Sequence, residues 1–186
     1  MEEELLIQRA KDGDLEAFRE LVERFLPVVE RFAYQIGSPP AQIDDIAQEV
    51  FLRVYRFLDT YSSGKFSTWL YRITLNISRD MMRKNKREQD KVKKLYDQPA
   101  PPRPPDSEGQ LLKNDEYRHL HNLVTGLDEK YRVPLVLFYF QEKKYDEIAE
   151  ILSIPLATVK TRISRARGKL KDVLEITAGG EGNGLS

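Results

Sequence analysis

The sequence predicts an all-α protein made of two small helical domains joined by a flexible linker, on three observations. Apolar residues recur at three- and four-residue spacings on both sides of the chain's middle, a proline-rich stretch separates them, and a helix, tight turn, helix pattern closes the second half. The stretch DQPAPPRPPDSEG (Asp97 to Gly109) supplies the separation, because proline removes backbone donors and favours extended polyproline conformation. We therefore divide the chain into a first domain over 1–94, a linker over 95–110, a second domain over 111–176 and a disordered tail over 177–186.

In the first domain, Ile43, Ile46, Ala47, Val50, Phe51, Val54, Tyr55 and Leu58 form an apolar stripe on a helix of about four turns, and that stripe reads as core. After the break Tyr61-Ser62-Ser63-Gly64, a second long helix starts near Ser67, with Trp69, Leu70, Ile73, Ile77 and Met81 on one side. Its other side carries Arg72, Asn76, Arg79 and Arg83 at steps of four, three and four, a mostly cationic ridge. Earlier helices are expected around Leu15 to Phe25 and Val28 to Ile36. In the second domain, VPLVLFYF (Val133 to Phe140) fits a buried strand or a buried helix; its helical neighbours favour the helix, but its period does not decide. Tyr145, Ile148, Ala149 and Leu152 then make a short stripe, Ser153-Ile154-Pro155 breaks it, and Val159, Ile163, Ala166 and Leu170 make another. With those positions inward, Thr158, Lys160, Thr161, Arg162, Ser164, Arg165 and Arg167 are left outside, a surface suited to a DNA major groove.

The charges balance at 30 basic and 30 acidic residues, but their layout is uneven, and layout sets the local field. Acids outnumber bases up to Asp59. From Lys65 to Lys94 the bases Lys65, Arg72, Arg79, Arg83, Lys84, Lys86, Arg87, Lys91, Lys93 and Lys94 face only Asp80, Glu88 and Asp90. Between Lys160 and Lys171 there are bases and no acid. Two basic blocks in acidic surroundings point to two polyanion contacts and leave acidic faces for a protein partner. No run of eighteen apolar residues exists, and MEEELLIQRAKDGD is acidic and amphipathic, so we expect a cytoplasmic protein without membrane insertion. With no cysteine, and with His119 and His121 read as surface residues, we expect no metal, no cofactor, no small-molecule substrate and no catalytic constellation.

IDDIAQEVFLRVYRFL, then KFSTWLYRITLNISRDMMRKNKR, then LDEKYRVPLVLFYFQEKKYDEIAEILSIPLATVKTRISRARGKL resemble, in order and spacing, regions two and four of sigma-70-family RNA polymerase sigma factors. The lack of a domain between them is similar to the extracytoplasmic-function (ECF) group. Two departures stand out: Ala157, where many relatives have glycine, and Pro39-Pro40 before the region-two helix.

The resemblance implies a non-enzymatic specificity subunit whose partners are core RNA polymerase, promoter DNA and an anti-sigma factor. Asp45, Gln48, Glu49, Leu52 and Arg56 lie opposite the apolar stripe of their helix, which by itself describes a wet face with a Glu49 to Arg53 pair worth ~0.3 kcal/mol. Leu52 also fits an anchor for another helix, and the resemblance assigns this face to the clamp helices of the polymerase's largest subunit. Trp69 reads as core. Phe66 reads as core or, beside the polar loop Asp59 to Lys65, as a base-stacking residue. The resemblance places Lys65, Phe66, Arg72, Asn76, Arg79 and Arg83 at the promoter's minus-ten element, with Asn76 reading a base edge and the arginines on phosphates. It places Lys160, Ser164 and Arg165 on minus-35 bases, Arg165 foremost, and Thr158, Thr161, Arg162 and Arg167 on phosphates. The alternative is a stand-alone helix-turn-helix regulator that binds duplex operators without polymerase.

Overall fold

The computed structural model describes residues 2–62, 64–95 and 115–180, and all regular structure among them is helical. The chain divides into two compact units, the first built on four helices before the proline-rich stretch and the second on four after it. That stretch lies outside the described residues.

In the first unit, α1 (Glu2–Lys11) and α2 (Leu15–Gln35) are joined by a short turn that Asp14 fixes. Its carboxylate accepts the free N–H groups of Glu16 (3.0 Å) and Ala17 (3.1 Å), capping α2, and accepts the Arg9 guanidinium at 2.6 Å from α1. The Ala17 N–H and the Arg9 side chain hold the Asp14 carboxyl below the ordinary carboxylate value. Helix α2 buries Ala17, Leu21, Phe25, Val29 and Ala33, a strict four-residue stripe. Two helices were expected here, but the chain makes one through Pro27. Pro27 is exposed, so the backbone carbonyl deprived of its partner is on the water side and the buried face stays intact. At the end of α2, Gly37 takes φ +94° and the Ser38 N–H closes on the Ala33 carbonyl at 3.0 Å, a reversal that disfavours any residue with a Cβ.

Helix α3 (Ile43–Phe57) and α4 (Phe66–Leu95) complete the unit, and Pro39-Pro40 lead only into a single 3-10 turn, Pro40–Gln42, before α3. Ile46, Ala47, Val50, Phe51, Val54 and Leu58 are buried as expected, against Leu70 and Ile77 of α4 and Leu6 and Ile7 of α1. Each fully buried aliphatic side chain contributes about 1.5–3 kcal/mol by leaving water, so this shared cluster dominates the unit's stability. Tyr55 departs from the expectation. It is 59% exposed, with only a ring edge on Phe18 at 5.0 Å.

In the second unit, α5 (Asp115–Thr125) and α6 (Glu129–Tyr139) lead into α7 (Tyr145–Leu152) and α8 (Leu156–Gly180). The ambiguous run is helical through Tyr139, with Phe140 as the helix's C-cap, and its unbroken apolarity has a simple cause: Val133, Pro134, Leu135, Val136 and Leu137 are all buried. Arg132 reaches back to the end of α5, its Nη1 donating to the carbonyls of Thr125 (2.7 Å) and Leu127 (2.9 Å). His119 is exposed, whereas His121 is half-buried, and desolvation with Arg132 nearby lowers its imidazole pKa. Between α7 and α8, Ser153 adopts φ 53° and the Ile154 N–H bonds the Ala149 carbonyl at 3.1 Å, which turns the chain sharply. Helix α8 continues through 177–180, four residues that the sequence reading gave to the tail; 181–186 lie outside the described residues. Among the described residues no helix is long and apolar enough to cross a membrane.

Candidate nucleic-acid interface

Helix α4 holds the first cationic surface. Asn76 and Arg83 are exposed, and Arg72 and Arg79 are partly covered, in a ridge that rises about 16 Å from Arg72 to Arg83 at 1.5 Å per residue. Arg83 pairs with Asp80 at 2.8 Å, an exposed contact of about 0–1 kcal/mol that a phosphate can displace. Lys84, Lys86, Arg87 and Lys91 carry positive charge further along the same helix. The connection into α4 sits at the ridge's start, with Lys65 exposed.

Phe66 requires a correction. It opens α4 and is only 1% exposed, its ring 5.1 Å from Phe25, 5.6 Å from Tyr61 and 5.7 Å from Trp69. A ring enclosed on these sides has no face for a base, so its part is structural. Trp69 is partly buried in the same aromatic group, in keeping with its reading as core.

On α3, Asp45, Gln48, Leu52 and Arg56 are exposed, and Glu49 is half-buried beside Arg53 at 3.3 Å, the helix pair read from the sequence. Leu52 is 59% exposed. Tyr55, exposed and about 60° around the helix from Leu52, extends its apolar surface, which sequence reasoning missed, having assigned Tyr55 to the core.

The outer surface of α8 separates into two edges. Thr158, Thr161, Arg162 and Arg165 line one shallow depression together with Lys130 and Tyr131 of α6. Lys130 was not anticipated; its Nζ lies 5.0 Å over the Tyr131 ring. Thr161 Oγ1 donates to the Ala157 carbonyl at 2.9 Å, a back-bond along the helix. Lys160 and Ser164 are exposed on the other side of the helix's outer surface, so the expected trio Lys160, Ser164 and Arg165 does not share one face. Arg167 lies about 160° around the axis from Arg165 and borders an apolar groove lined by Leu120, Val124, Leu135, Tyr139 and Leu174. The groove escaped the sequence reading because its lining is drawn from the stripes of three separate helices. Among the described residues no cluster of His, Asp or Glu is placed to hold a metal ion.

Two helical units, each presenting a basic helix face, one of them in a helix-turn-helix, define a DNA-binding factor with two separate contacts. The family model for Sigma-70 region 2 matches residues 21–88, and that for Sigma-70 region 4 matches 117–170. The chain is 34% identical over 182 residues to the ECF RNA polymerase sigma factor SigW of Bacillus subtilis (strain 168), covering 90% of this chain and 94% of that one. It is 33% identical over 156 residues to the ECF sigma factor SigE of Mycolicibacterium smegmatis, covering 83% of this chain and 60% of that longer protein. Among solved structures, CnrH in complex with the cytosolic domain of CnrY superposes with a TM-score of 0.69 at 26% identity, over 92% of this chain and 96% of that one. The chain belongs to the ECF RNA polymerase sigma factors. It is a transcription-initiation factor and not an enzyme.

Proposed function

We propose that the outer face of α3 (Asp45, Gln48, Glu49, Leu52, Arg56) docks on core polymerase, the α4 ridge takes the minus-ten element and the α8 edges take the minus-35 element. The observation that carries this division of labour is the pairing of an exposed Asn76 with flanking arginines on α4, a helix that starts from a tight loop. An amide can read an unpaired base edge by donating and accepting at once, while guanidinium groups neutralise the phosphates around it. Holding a base outside the stack lowers the cost of opening the duplex, which is roughly a few kcal/mol per unstacked step. On α8, Arg165 reads a base and Thr158, Thr161 and Arg162 steer on the backbone, with Lys130 as an additional cation on that edge. A factor that acts on chromosomal promoters beside polymerase works in the cytoplasm, and the lack of a membrane-crossing helix among the described residues agrees with that reading. The similar protein CnrH was solved with the cytosolic domain of CnrY, which supports a protein partner here too, and the family resemblance makes an anti-sigma factor the candidate.

Asn76→Ala tests the base-capture reading. It should reduce open-complex formation, followed by permanganate reactivity of thymines, more than closed-complex formation, followed by footprinting. Equal losses at both stages would remove Asn76 from base reading.

A further inference from the structure

The connection between α3 and α4 is held from three directions. Its Tyr61 hydroxyl donates to the Gly64 carbonyl at 2.6 Å, closing the turn on itself, and Gly64 takes φ +92°, a conformation that residues with a Cβ seldom adopt. The Tyr61 ring packs on the core side, 5.5 Å from Trp69 and edge-on to Phe66 at 5.6 Å. The third hold comes from far away in sequence. Lys11, the last residue of α1, donates through Nζ to the Tyr61 carbonyl and lies 5.5 Å over the Tyr61 ring.

Lys11 is dispensable for keeping α1 in place. Leu6, Ile7 and Ala10 bury that helix, and Arg9 ties it to Asp14 at the start of α2. Phe66 anchors the beginning of α4 without Lys11. The ammonium therefore acts on the turn alone, through a charge-assisted hydrogen bond and a cation–π contact to one residue.

We propose that Lys11 is a positioning residue for minus-ten strand capture: it fixes Tyr61, at the entrance to α4, before DNA arrives, so that ordering need not accompany binding of an unstacked base. This rests on the base-capture reading above. Removing a preorganising contact restores the ordering cost at each binding event and weakens capture without altering the surface that meets DNA.

The test uses the full chain on core polymerase, with promoters that the wild-type holoenzyme selects from a random duplex library. Each promoter is compared as a duplex and as the same sequence with an unpaired minus-ten segment. Lys11→Met should lower affinity for the unpaired form and open-complex yield by about three- to ten-fold. Affinity for core polymerase and closed-complex binding should be unchanged, and Lys11→Arg, which keeps charge and donors, should restore capture. Trp69, the chain's one tryptophan, reports on the turn directly, and its emission should be quenched more by iodide in Lys11→Met. Unchanged affinity for the unpaired promoter, or an equal loss at closed complexes or in core binding, overturns the proposal. Asn76→Ala measured on the same unpaired promoters separates the two readings. If it weakens binding while Lys11→Met does not, the Lys11 assignment alone fails; if neither does, base capture by this unit fails with it.

Discussion

Leu52 exposes 59% of its surface on a helix face otherwise made of Asp45, Gln48 and Arg56, and Tyr55 lies exposed at its side. Burial of a leucine against a partner contributes about 1.5–3 kcal/mol, or roughly ten- to a hundred-fold in affinity. Leu52→Asp should therefore weaken core-polymerase binding by at least about ten-fold in a titration, with the helix content seen by circular dichroism unchanged. Unchanged affinity would sink the docking assignment. Single residues are where the sequence was read least well. Phe66 had two compatible readings because it stands between a polar loop and an apolar helix stripe, and the observed start of α4 at Phe66 comes with its ring in the core. Tyr55 fits the apolar stripe by spacing, yet it stands at the stripe's margin, where a tyrosine can keep its ring edge on Phe18 and its surface in water.

At the scale of elements, the stripes on α3, α4 and α8 were legible because each repeats every three to four residues and buries one side, whereas on α7 only Ile148 of the expected stripe is buried and Ile151, left out of it, is buried as well. Period failed at 133–140, where a helix buried nearly all round has no polar side to reveal it, and at Pro27, where exposure lets a helix tolerate a proline. The two edges of α8 allow a sharper separation of roles. Arg165 joins the depression beside Lys130, and Arg167 borders the apolar groove on the far side. Arg165→Ala should flatten preference at one minus-35 base pair at a cost of ~1–3 kcal/mol. Arg167→Ala should weaken all sequences alike and lower the salt slope by roughly one unit. Holoenzyme titrations on minus-35 point variants at several salt concentrations distinguish them, and a uniform loss for Arg165→Ala would reduce it to a backbone contact. Between the edges lies Gly168, exposed, with no atom within 4 Å of where a Cβ would stand. Gly168→Ala should stabilise the second unit by about 0.5–1 kcal/mol in denaturant unfolding, since glycine in a helix loses more backbone entropy than alanine. Unchanged or lower stability would mean that α8 is already frayed at that point.

For the whole molecule, charge layout carried more information than net charge. The 30 bases and 30 acids cancel, while the bases gather on α4 and α8 and the acids elsewhere leave faces for protein contact. The proline-rich stretch marked the division into two units, and the order of motifs marked the family. What the sequence did not reveal were surfaces assembled from several helices: the groove between α5, α6 and α8, the Lys130 edge, and the reach of Lys11 to Tyr61. The central claim is that this chain confers promoter choice and melting on a polymerase that lacks them. Run-off transcription by purified core polymerase, on promoters selected as above, measures it most directly. Transcripts of one defined length should appear only when chain and core are both present, and should vanish when the minus-ten or minus-35 segment is scrambled. Absence of transcript, or binding of the isolated chain to those duplexes as tightly as holoenzyme binds them, would contradict the account and favour a stand-alone regulator.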